Sequence, residues 1–174
     1  MKIITSAFIL ILFGNAIVFA QSTKGNERTA DSSDRKSVGG FGGHLIVVEN
    51  PQAFIEQWLK PETPNITTVT SVDRGVLIGA FVLFAGCKPN AQRICNSEVD
   101  YMVYKPDGTL YAERKKQPLW KDEPPPTPNI QLSSAILAFR FEKNDPPGEY
   151  KVKAKVSDLN AEISFELETI VRLK

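Results

Sequence analysis

The sequence predicts an all-β protein: an antiparallel β-sandwich with one short helix and one disulfide. Three observations lead there. The last stretch of the chain alternates apolar and polar side chains, as in "YKVKAKVS", the period that sets one strand face on a core and the other in water. The run "GVLIGAFVLFAG" at 75–86 is apolar on both faces. Its β-branched residues and Gly79 favour a central strand covered on each side over a surface helix. The only two cysteines, Cys87 and Cys95, follow directly in "CKPNAQRIC".

The chain opens "MKIITSAFILILFGNAIVFAQ", with Lys2 ahead of an apolar run and Val18 and Ala20 at the −3 and −1 positions before Gln21. That is the pattern of a secretory signal peptide at 1–20; an uncleaved anchor is the alternative, because the run is nearly long enough to span a bilayer. The whole chain carries 21 basic and 20 acidic residues, and removal of Lys2 leaves it formally neutral. Neutrality argues against nucleic acid or an anionic membrane surface as partner, since both select clustered Lys and Arg. No later segment approaches a membrane span. The expected location is periplasmic or extracellular, where an even pair of cysteines forms a disulfide. A metal site would need more ligands than the single His44, and a redox dithiol would use the tighter C-x-x-C spacing. No cofactor or metal is expected.

The elements follow in order. Residues 21–40, "QSTKGNERTADSSDRKSVGG", carry almost no large apolar side chain and read as a disordered tether. The folded unit is expected at 41–174, about 134 residues, one domain of ordinary size. The Gly39–Gly43 stretch reads as flexible, and "HLIVVE" (44–49) as a first strand. Asn50 and Pro51 form a helix start, N-cap and N1, and Phe54, Ile55, Trp58 and Leu59 share one face of the short helix that follows, the natural cover for the 75–86 strand. "ITTVTSV" (66–72) reads as strand. Residues 97–114 read as strand, Pro106–Gly108 turn and strand. The proline-rich 117–129 should run as polyproline II outside any ladder. Residues 134–142 return to strand. In the two last strands Tyr150, Val152, Ala154, Val156, Ile163, Phe165, Leu167, Val171 and Leu173 face inward, while Lys151, Lys153 and Lys155 oppose Glu162, Glu166 and Glu168 across a solvated face.

"DPPGEYKVKAKVSD" (145–158) and the alternating strand after it resemble the penultimate-strand region of immunoglobulin-like domains, including bacterial macroglobulin-like exported domains. Gly148-Glu149-Tyr150 looks like a tyrosine corner, in which a tyrosine at a strand start bonds back to upstream backbone. The resemblance implies an immunoglobulin-like sandwich with a structural Tyr150. An antibody-type domain would carry a cysteine where Val152 stands. Such folds host many functions, so the resemblance carries none with it.

Catalytic constellations are sparse. His44 sits beside "GGFGG" with no G-x-S-x-G elsewhere, Asp100 and Asp158 are isolated acids, and the protein is read as no enzyme. Two features can recognise something. The stapled loop presents Lys88, Asn90, Gln92 and Arg93 with no acid among them, and restraint lowers the entropy lost on binding. The favoured function is therefore a non-catalytic protein–protein interaction module, an accessory subunit or enzyme inhibitor of the cell envelope, engaging an acidic partner surface. Trp120 and Tyr111, with Lys115, Lys116 and Lys121 nearby, suggest the alternative of a carbohydrate-binding module; an envelope hydrolase is the lesser alternative.

Overall fold

The computed structural model describes residues 31–126 and 130–174; the signal-peptide reading and the first half of the tether lie outside them. Ten strands and one helix follow the order β1 (Arg35–Val38), β2 (Phe41–Glu49), α1 (Pro51–Trp58), β3 (Ser71–Val72), β4 (Ile78–Ala85), β5 (Cys95–Tyr104), β6 (Leu110–Glu123), β7 (Gln131–Leu132), β8 (Leu137–Phe139), β9 (Gly148–Asp158) and β10 (Ile163–Leu173). They form two sheets. One runs β1-β2-β4-β7, with β8 also on β4; the other runs β3-β10-β9-β5-β6. All pairings are antiparallel except β3 with β10.

Alternation builds the core between them. Val82 and Phe84 of β4 and Leu45 and Val47 of β2 meet Val99, Tyr101 and Val103 of β5, Val152 and Val156 of β9, and Leu167 and Val171 of β10. Tyr150 is fully buried, and its hydroxyl donates to the Pro146 carbonyl at 3.0 Å. The predicted tyrosine corner is there, at the start of the penultimate strand. The architecture is immunoglobulin-like. Opposite the core, Ile46 and Val48 of β2 and Phe81 and Leu83 of β4 pack with Phe54 of α1 into a second apolar cluster. This explains why 75–86 is apolar on both faces. Helix α1 starts as its sequence demands, with the Asn50 side chain accepting from Ala53 N at 3.3 Å. It lies so close to β4 that a Cβ on Gly79 would stand 2.8 Å from Pro51 and Ile136. Leu59, expected on the packed face, falls at the C-cap and is exposed.

Several expectations need correction. The tether reading fails at 31–40. Arg35–Val38 pairs with β2 and Glu168 N donates to Ser33 O at 2.7 Å, so the segment closes the open side of the sandwich, where β2 and β10 would otherwise present bare backbone. Gly39 and Gly40 are the left-handed turn of that hairpin, and β2 begins at Phe41 rather than 44. The 66–72 strand shrinks to two paired residues because the chain is switching sheets: Val69 N donates to Val47 O and Arg172 N to Thr70 O. Residues 117–123 are strand, not polyproline II. Pro118 is tolerated because β6 is an edge, and register shifts together with left-handed Lys116 and Asp122 break its regularity. The expected 134–142 strand shortens to β8 at 137–139, and β7 pairs with β4 ahead of it; between β7 and β8 lies a buried Ser133, whose hydroxyl accepts from Val82 N and donates to Ala135 O.

The final two strands alternate as expected, and on the solvated face Lys151 is bonded to Glu168 and Lys153 lies near both Glu166 and Glu168. Such exposed pairs add little stability. Glu162 instead falls in the β9–β10 turn, and neither it nor Lys155 forms an ion pair among the described residues.

Candidate functional site

The cysteine loop projects from one end of the sandwich, between β4 and β5. Cys87 and Cys95 are bonded to each other and buried. Gly86 leads into the loop with φ 79°, and a Cβ there would collide with the Gly40 carbonyl. Glycine is required at that point.

Inside the ring, the Asn90 carboxamide oxygen accepts from Gln92 N at 3.0 Å and Ile94 N at 2.9 Å. Its own backbone N–H donates to Ile94 O, and its carbonyl accepts from Arg93 N, both at 2.9 Å. Arg93 takes φ 63° to complete the turn. Outside the ring, the β9–β10 turn clamps the loop. The Asp158 carboxylate is 1% exposed and accepts from Lys88 N at 2.6 Å, Asn160 N at 3.1 Å and Ala161 N at 3.2 Å. The Asn160 amide donates to Lys88 O and Ile94 O, each at 2.9 Å. Charge-assisted bonds of the Asp158 type are the strong ones.

The loop backbone is thus held both from within and by the β9–β10 turn, while the Lys88, Gln92 and Arg93 side chains are exposed. Among the described residues neither Lys88 nor Arg93 forms an ion pair. The structure gives Asn90 a scaffolding job: its amide oxygen is turned into the loop. Asp158 and Asn160 are the residues that sequence reasoning missed as loop partners. The Asx-turn look of "DLN" was the available signal.

Trp120 and Tyr111 stand apart. Trp120 packs its ring 5.7 Å from Phe84 and donates its indole N–H to Pro124 O at 2.9 Å. Tyr111 lies roughly 20 Å away along β6, judging by their partners Ser97 and the Val103–Tyr104 end of β5. It packs against Phe139, Phe141 and Tyr150. Its hydroxyl donates to Arg140 O and Asp145, and burial with the Asp145 bond pushes the phenol far up, so it stays protonated. The two rings do not form one stacking platform.

The weak catalytic candidates also have structural partners. Asp100 accepts from Lys116 N at 2.6 Å, fixing a bulge of β6. His44 is half-buried, with Nε2 3.4 Å from the Asp34 carboxylate; burial holds its imidazole below the ordinary value, Arg35 adds to that, and Asp34 opposes it. Among the described residues no group of three or more His, Cys, Asp or Glu could hold a metal.

No family model and no curated protein matches the chain. It is similar at low identity to a number of solved structures, three of which illustrate the range. A CARDB domain from Pyrococcus furiosus, solved with di-metal ions, is 12% identical over 79% of this chain and 97% of that one, with TM-score 0.38. An immunoglobulin-like protein from Pseudomonas aeruginosa is 16% identical over 76% and 91%, TM-score 0.34. A family 123 glycoside hydrolase from Clostridium perfringens is 9% identical over 77% of this chain but only 27% of that one, TM-score 0.39. Likeness at this level carries no argument about activity. The fold assignment rests on strand order and the tyrosine corner in this chain.

Proposed function

We propose that the protein is an exported, non-catalytic interaction module that docks an acidic protein surface through the Cys87–Cys95 loop. Lys88, Gln92 and Arg93 make the contact, and Asn90 holds them in place. Its role is that of an accessory subunit or an inhibitor of an envelope enzyme. One observation supports the reading above the rest: disulfide, Asp158 and Asn160 together fix the loop backbone while its cations stay exposed and unpaired. A loop ordered before contact loses less entropy on association, and unpaired surface cations steer an acidic partner and fix its orientation. A buried disulfide suits an oxidising compartment, which agrees with export.

Affinity capture tests the proposal. Residues 21–174, oxidised, are incubated with envelope extract of the source organism beside the Lys88→Glu/Arg93→Glu double variant, and retained proteins are identified by mass spectrometry. A protein held by the native domain and lost with the variant, at unchanged thermal stability, is the expected result. Equal retention by both forms excludes the loop as the contact.

A further inference from the structure

The outer face of the β1-β2-β4 sheet carries a second feature, independent of the function proposed for the cysteine loop. There a groove of about 480 Å³ runs over Gly42, Leu83 and Ala85, with Ile66 and Ile130 among its walls and Arg35, paired with His44 on the same face, at its edge. Ile66 is 37% and Ile130 63% exposed, so two large apolar side chains border the groove in contact with water.

Gly42 is the informative residue. Neighbouring glycines have structural reasons: a Cβ on Gly43 would press on Phe165 and Leu167 in the core, and one on Gly79 would strike Pro51 and Ile136. Gly42 has none. Its φ lies outside the left-handed region, and a Cβ there would meet only ordinary contacts at 3.6–3.7 Å with Ser37 and Lys36. Glycine weakens a strand interior and, where packing does not demand it, marks a place of close approach by something else. At the groove edge, Arg35 forms no ion pair among the described residues. Asp31 is occupied by Ser37 N, and Asp34 by Ser32 and His44.

We propose that this groove binds a small amphipathic anion, with its hydrocarbon part on the Gly42, Leu83 and Ala85 floor between Ile66 and Ile130, and its carboxylate at Arg35. An apolar site with a few placed polar groups is the usual form of a small-molecule pocket, and the volume is within the usual range. Guanidinium is the side chain best matched to a carboxylate.

Titration with decanoate, followed by amide chemical shifts of the full exported chain, tests this. Decyltrimethylammonium, with the same tail and opposite charge, is the control. The expected result is saturable shifts at Gly42, Leu83, Ala85 and Ile130 with decanoate, and affinity weaker by roughly tenfold or more for the cation. Arg35→Glu should weaken decanoate by roughly tenfold or more. Gly42→Val, which fills the floor, and Ile130→Ser, at a position too exposed to matter for folding, should each reduce binding with the fold intact by circular dichroism. Absence of saturable shifts with decanoate overturns the proposal. So does equal affinity for the cation, or decanoate binding unchanged in all three variants.

Discussion

Replacing Asp158 by Asn changes a single atom and should loosen the whole loop end. The carboxylate offers two acceptor oxygens to three backbone N–H donors, those of Lys88, Asn160 and Ala161. A carboxamide has one oxygen. If that oxygen keeps the Asn160 and Ala161 pair, an NH2 group faces the Lys88 N–H, donor against donor, in a place where the side chain is 1% exposed. Hydrogen bonds to a charged group contribute about 1.5–3 kcal/mol each, and an orphaned donor adds about 1–3 kcal/mol; partial relaxation of the turn holds the sum to roughly 3 kcal/mol. Unfolding entropy near 2.1 cal/mol/K per residue over a domain of about 140 residues converts each kcal/mol into about 3 °C. Calorimetry of the oxidised variant should therefore show Tm lower by about 10 °C, and amide exchange at 88–94 should accelerate beyond the global loss of stability. A Tm within about 2 °C of the parent, with exchange in the loop unchanged, would refute the clamp.

Three further outcomes follow from the same geometry. Replacing both cysteines by serine releases a nine-residue ring (sequence separation 8) and should cost roughly 2.5 kcal/mol by loop entropy, read as a lower urea midpoint at unchanged slope. Gly79→Ala forces a methyl against Pro51 and Ile136 at 2.8 Å and should cost about 1–3 kcal/mol, whereas Gly42→Ala should be neutral or slightly stabilising in the same urea titration. Because burial holds the folded His44 below its ordinary 6.5, the unfolded chain takes up the proton first as pH falls. The stability this protects is present above about pH 6.5 and declines below it; His44→Gln should flatten that decline below about pH 6.5 in thermal melts, and an unchanged slope would show that another group sets it.

What could be read from the sequence was whatever depends on local period or on cysteine chemistry. Tyr150 to Val156 alternate because one face meets the core, and 75–86 do not alternate because α1 covers the other face of β4. The disulfide followed from two cysteines behind an N-terminal stretch that reads as a secretory signal. Long-range pairing was not legible. "RKSV" is polar enough to be a tether, and becomes β1 only because β2 and β10 leave an edge to fill. Pro118 signals the end of a ladder but says nothing about an edge strand that tolerates it. Aromatic identity made Trp120 and Tyr111 candidates, yet which way a ring turns depends on Phe84 and Phe141, far off in sequence. Asn90 looked like a recognition group for the same reason: its inward amide is fixed by Gln92 and Ile94 only once the turn is closed.

Whether the stapled loop meets a partner can be read by site-directed photo-crosslinking in the living cell envelope. A photoreactive residue is placed at Gln92, at the exposed loop tip, or at Lys143, exposed in the β8–β9 connection at the opposite end of the sandwich. Loop contact should give a discrete adduct with one protein from position 92 and none from 143, and that adduct should be lost when Lys88→Glu and Arg93→Glu are added. An adduct from 143 alone, or one from 92 that survives both charge reversals, would contradict it.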